Sequence, residues 1–62
     1  LLYEAIDHLP EKYRLAVILY YFDDMDIAAT AQILGIPNGT VKSRLGKARK
    51  LLKEALGNET DL

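Results

Sequence analysis

Residues 26–45 read DIAATAQILGIPNGTVKSRL, and the spacing inside this stretch decides the fold. Ala31 stands four residues before Gly35, and Val41 six after it. Where two helices meet at a tight turn, the crossing needs a small side chain and the turn needs a residue that tolerates positive φ. The second helix needs an apolar anchor directed back at the first. Ala31, Gly35 and Val41 meet these three demands, with Leu34, Ile36 and Leu45 completing a local core. Asp26 is placed to cap the first helix, Ile27 to Leu34, by accepting from the free amides of its first turn. Gly35 ends that helix, and Pro37 opens the next, from about Asn38 to Leu56. The spacing predicts a helix-turn-helix unit over about 27–56.

The second helix of the unit divides into faces. At about 100° per residue, Val41, Leu45, Ala48, Leu52 and Leu56 fall in one stripe. Ser43, Lys47 and Lys50 point nearly opposite, with Thr40 and Arg44 flanking on one side and Lys42 and Lys53 on the other. Between Asn38 and Lys53 the chain carries six bases and no acid. Residues 1–37 hold two bases against six acids, a formal charge of −4, and residues 38–62 hold six against three, +3. The net charge of −1 hides this segregation. An apolar back and a front of donors is what a helix in the DNA major groove requires, its N-terminal half reaching deepest. Asn38, Gly39 and Thr40 supply free amides and small side chains suited to approaching a phosphate. The candidate DNA-binding residues are Asn38, Gly39, Thr40, Lys42, Ser43, Arg44, Lys47 and Lys50. A cationic helix by itself also suits a solvated surface; its coupling to the turn signature favours DNA.

Two further helices precede the unit. The first, about Leu1 to His8, sets Leu2, Ala5, Ile6 and Leu9 on one face and must end near Pro10. Pro10 suits the first turn of the second helix, with Glu11 at its positive end. That helix runs to about Phe22 and is apolar nearly all round, which fits a central core element, a docking surface, or both. Tyr20 and Tyr21, adjacent on it, cannot both point inward, and one of them is a candidate partner contact. For the four tyrosines, partial burial with a solvated hydroxyl is the default. The expected architecture is an all-α, four-helix helix-turn-helix domain over residues 1–57, without a wing, followed by a frayed tail over 58–62.

Composition excludes several function classes. A chain of 62 residues forms one small core with no room for a pocket of enzymatic size. With no cysteine and one histidine, His8, it holds neither a disulfide nor a histidine–cysteine zinc cluster. Asp23, Asp24 and Asp26 lack the glycine and distal glutamate of a calcium loop and read as a turn plus an N-cap. No catalytic residue, metal or cofactor is expected. The apolar run Leu15 to Phe22 falls short of the roughly 20 residues that span a bilayer, so no membrane insertion is expected. The absence of cysteine fits a reducing cytoplasm. The chain opens at Leu1 directly in helical pattern, as a domain cut from a longer protein would.

The string GIPNGTVKSRLGKARKLLKEAL, preceded by LPEKYR some way upstream, resembles region 4, the C-terminal promoter-binding domain of bacterial sigma factors. The nearest type is the extracytoplasmic-function group, with its LP…YR…GTVKSRL.RAR..L pattern. The likeness covers about Leu2 to Leu56. It implies recognition of the minus-35 promoter element in double-stranded DNA, docking on core RNA polymerase at the β-subunit flap, an anti-sigma factor as a further candidate partner, and a bacterial cytoplasmic setting. Lys42, Ser43, Arg44 and Lys47 occupy motif positions that face DNA in the family. Arg49 matches the second arginine of RAR and borders the apolar stripe, which gives it a phosphate or intramolecular role. The chain departs from the pattern at Gly46, often a larger residue, at Thr30, usually aliphatic, at the turn 23–26 (DDMD), and at Ala28 and Ala29, usually acidic. Two alternatives share parts of this pattern: the output domain of a response regulator, and a helical protein-interaction module whose apolar second helix binds a partner.

Overall fold

The computed structural model describes residues 2–57, so the expected tail over 58–62 lies outside the described residues. Four α-helices follow one another: α1 (Leu2–Asp7), α2 (Glu11–Val17), α3 (Ile27–Leu34) and α4 (Asn38–Leu56). Among the described residues there is no strand. The architecture is the all-α helix-turn-helix arrangement expected from the sequence.

The joint between α1 and α2 is built around proline. Pro10 lies just outside α2 as its N-cap, with φ −52° and ψ 146°, rather than within the first turn. Its carbonyl accepts from the amides of Tyr13 and Arg14, each at 3.0 Å, so the ring that donates nothing still anchors the helix start. Arg14 then reaches back: its Nη1 donates to the carbonyls of Asp7 and Leu9, both at 3.3 Å. A cation thereby sits at the negative end of α1 and satisfies carbonyls with no partner inside that short helix. The LP…YR spacing thus has a structural reason. His8 closes the same end, its Nδ1 donating to the Glu4 carbonyl at 2.7 Å.

The expected single α-helix through Phe22 is corrected in its last part. From Ile18 to Phe22 the backbone widens into a π-helical turn, closed by the Asp23 amide donating to the Ile18 carbonyl at 3.0 Å. An i to i+5 bond takes up one residue more than an α turn, which changes the directions of the Tyr20, Tyr21 and Phe22 side chains. The chain leaves this turn through Asp24 at φ 56°, a left-handed conformation that aspartate tolerates better than most residues.

The ends of α3 follow the sequence reading. The Asp26 side chain accepts from the Ala29 amide at 2.7 Å. At the far end Gly35 adopts φ 68° and ψ 36°. The Ile36 amide donates to Ala31 at 3.0 Å and the Gly35 amide to Gln32 at 3.3 Å, the paired bonds of a Schellman motif. Two residues later Pro37 caps α4, its carbonyl receiving the amides of Thr40 and Val41.

The core is the junction of the four helices. Ile6, Leu9, Ala16, Val17, Ala31, Val41, Leu45, Ala48 and Leu52 are buried. The predicted α4 stripe accounts for four of these, while its last member, Leu56, is half-buried. Ala31 is the small residue at the α3–α4 crossing, and Val41 is fully enclosed. Beside Ala31, Thr30 is also fully enclosed, and its Oγ1 has no hydrogen-bond partner among the described residues. Leu2, assigned to the buried face of α1, is instead exposed, and Tyr3, expected to be partly covered, is 70% exposed. Both stay near other apolar groups: Tyr3 pairs with Phe22, and Leu2 lines a groove with Val17 and Phe22.

Candidate nucleic-acid interface

Helix α4 is 19 residues long, about 28 Å at 1.5 Å per residue. Because its aliphatic ridge is spent on the core, the opposite ridge faces solvent. Asn38, Gly39, Lys42, Ser43, Lys47 and Lys50 are all exposed, as is Lys53. No acid appears on this helix before Glu54. Of the sequence-predicted site residues, Thr40 and Arg44, expected on one flank, are both half-buried. Arg44 borders a shallow cleft with Pro10, Glu11, Lys12, Leu15 and Leu34. Lys42 borders the cleft on the opposite flank, with Tyr20, Tyr21, Ile27, Leu45 and Arg49. The three-way division of α4 into front and two flanks is therefore the one the helical projection gives.

Gly39 lies inside α4, and a Cβ built there would meet nothing within 4 Å. Neither φ nor packing demands glycine here, and a helical glycine costs about 1 kcal/mol relative to alanine. Its bare backbone is exposed beside Asn38, at the end of α4 that would enter a groove first.

Sequence reasoning missed what surrounds Arg49. Its Nη1 donates to the Tyr21 hydroxyl at 2.9 Å, joining α4 to the π-helical turn across 28 residues. The Tyr21 ring meets Tyr20 edge-on at 5.0 Å, and Tyr20 is half-buried while Tyr21 is exposed. The two tyrosines thus divide as expected, one inward and one outward. The other two separate as well: Tyr13 is half-buried with the Lys12 ammonium 5.1 Å above its ring, and Tyr3 pairs with Phe22 at 5.8 Å.

On the far side of Arg49 lies an almost wholly apolar groove of about 220 Å³, lined by Leu2, Ile6, Val17, Tyr21, Phe22, Arg49 and Leu52. The adjacent Tyr21 and Phe22 were the signal for it in the sequence. Asp23, Asp24 and Asp26 serve the turn and the α3 cap. Among the described residues no group of three or more His, Cys, Asp or Glu side chains is placed to hold a metal. Among the described residues no helix is long and apolar enough to cross a membrane.

Comparison with known proteins agrees with this geometry. A family model described as Sigma-70, region 4 matches residues 1–52. The RNA polymerase sigma factor SigV of Bacillus subtilis is 41% identical over 58 residues, 94% of this chain and 35% of that protein. The ECF RNA polymerase sigma factor SigW of the same organism is 40% identical over 53 residues, 86% of this chain and 28% of that protein. The ECF RNA polymerase sigma factor SigM of Mycobacterium tuberculosis is 43% identical over 53 residues, 86% of this chain and 27% of that protein. The chain thus spans about a third or less of the length of these curated relatives. A cationic α4 held by a Schellman turn, and sequence kinship over nearly the whole chain, lead to one assignment: this chain belongs to the sigma-70 region 4 family, of the extracytoplasmic-function type.

Proposed function

We propose that this chain is a promoter-recognition module of transcription initiation, placing α4 in the major groove of the minus-35 element as part of an RNA polymerase holoenzyme in the bacterial cytoplasm. The observation that carries the reading is the opposition of faces on α4: Val41, Leu45, Ala48 and Leu52 buried, Lys42, Ser43, Lys47 and Lys50 exposed. Ser43 and Lys47 are the base-edge candidates at the front. Asn38, Gly39, Thr40, Lys42, Arg44 and Lys50 hold the helix against the backbone, since phosphate contacts fix register and base contacts fix sequence. The reading makes the chain a binding module, not an enzyme. The response-regulator alternative has no comparable support from the relatives.

The apolar groove beside Phe22 supports a second contact, with core polymerase. An amphipathic helix of the β-subunit flap fits its chemistry, and an anti-sigma factor would compete for the same surface. None of Ser43, Lys47 and Lys50, the front of α4, lines this groove.

The test is titration of labelled promoter and random duplexes at two salt concentrations. The wild-type chain should bind with strong salt dependence and favour the promoter. The double substitution Arg44→Ala/Lys47→Ala should weaken promoter binding by about 1–3 kcal/mol for a lost base contact and flatten the salt slope for a lost phosphate contact. Unchanged affinity and slope in that variant would sink the assignment.

A further inference from the structure

The flank of α4 that carries Lys42 also carries a second cation on the same helix, Arg49, held by a side-chain hydrogen bond. Lys42 and Arg49 are seven residues apart, two helical turns, so they stand about 10 Å apart along one flank. Both border the cleft of about 280 Å³ between α4 and the π-helical turn. The Arg49 guanidinium is oriented by the Tyr21 hydroxyl at 2.9 Å, and Tyr21 is braced by the Tyr20 ring at 5.0 Å. One of its five N–H donors is spent on that bond, leaving the rest of the fork for a ligand. Gly46 lies between the two cations on the same flank, and the nearest heavy atom to a Cβ built there is Arg49 Nη2, at 3.9 Å. No side chain therefore stands between Lys42 and Arg49, although glycine in mid-helix costs about 1 kcal/mol.

A helix with its side chains is about 10–12 Å across and the major groove about 12 Å wide. Phosphates consequently run along both flanks of an inserted helix. We propose that Lys42 and Arg49, with Tyr21 behind the arginine and Gly46 between them, form a clamp for the backbone phosphates of one DNA strand. The inference rests on the DNA-binding reading and adds Arg49, Tyr21 and Gly46 to the interface. DNA is favoured over an acidic protein surface because the cleft continues the exposed cationic front through Lys42, whereas the apolar groove lies beyond Arg49.

The experiment measures duplex affinity of the 62-residue chain against salt concentration, with melting temperature recorded for each variant. Arg49→Gln keeps a donor for Tyr21 and removes the charge. It should lower the slope of log affinity against log salt by about 0.9, the value of one phosphate contact, with promoter preference and melting temperature unchanged. Arg49→Lys should restore the slope. Tyr21→Phe leaves every charge in place and should weaken binding severalfold at constant slope. Gly46→Leu should weaken binding at least tenfold by standing between the cations. A fall in melting temperature for Arg49→Gln with the slope intact would overturn the clamp and make the Tyr21 bond purely structural. Arg49-dependent binding of poly-glutamate, with duplex binding unaffected, would overturn it in favour of an acidic protein. If Arg44→Ala/Lys47→Ala weakens duplex binding while the Arg49 variants bind as wild type, only the clamp fails; if the wild-type chain binds no duplex, both readings fail.

Discussion

The pair α3 and α4 and the pair α1 and α2 contribute to one core but meet solvent differently. In the first pair the apolar residues inside the helices are largely enclosed, with Ile33 as the large exception, and the exposed side of α4 is cationic. In the second, together with the π-helical turn that follows α2, Leu2, Tyr3, Leu15, Tyr21 and Phe22 remain exposed although the backbone is well formed. One unit therefore spends its hydrophobic side chains on stability. The other keeps part of them at the surface, beside an apolar groove, where a protein partner can use them. The difference separates the two contacts proposed for this domain, polar with DNA and apolar with polymerase.

The comparison breaks most readily at its cores. Leu45→Ala removes an enclosed side chain from α4 and should cost about 3 kcal/mol, most of the stability a domain of this size holds. Phe22→Ala, at a position 46% exposed, should cost about 1 kcal/mol or less, while weakening capture by core polymerase. Chemical denaturation of both variants followed by circular dichroism checks the contrast, and equal losses would remove it.

The glycines sharpen it next. Gly35→Ala places a Cβ at φ 68° and should destabilise by about 1–2 kcal/mol, since nothing else obstructs the site. Gly39→Ala, in ordinary helical backbone with open space around it, should raise stability by about 0.5–1 kcal/mol and reduce duplex affinity. Opposite signs in thermal melts are the expected result. A gain of the same order is expected at Thr30. Its enclosed hydroxyl has no partner among the described residues, so Thr30→Val, close in shape, should stabilise by about 1 kcal/mol without altering DNA binding.

Local chemistry made half of this architecture legible. Asp26, Gly35 and Pro37 each act on atoms within five residues, so their roles follow from spacing alone. The α4 stripe was equally readable, because one long helix offers several turns of the same pattern. The π-helical turn was not: Ile18 to Phe22 contains nothing that distinguishes an i+5 bond from an i+4 bond. Nor were the Arg14 contacts to Asp7 and Leu9, which depend on how the chain turns at Pro10. Arg49 was readable only as a choice between phosphate and internal partner, since Tyr21 lies 28 residues away. At the site, periodicity fixed which residues face outward. It could not show that Arg44 would be half covered, because that depends on Leu34 and Lys12 from other helices.

The widened turn at the end of α2 has a consequence for how this chain can change length. A loop of backbone that encloses one residue more than it needs can give that residue up, closing into an ordinary α turn while the segments on either side hold their places. The same deletion within α4 would rotate everything after it by about 100°, driving charge into the interior. Indels are thus absorbed at one joint of the scaffold and forbidden along the helix that reads the duplex.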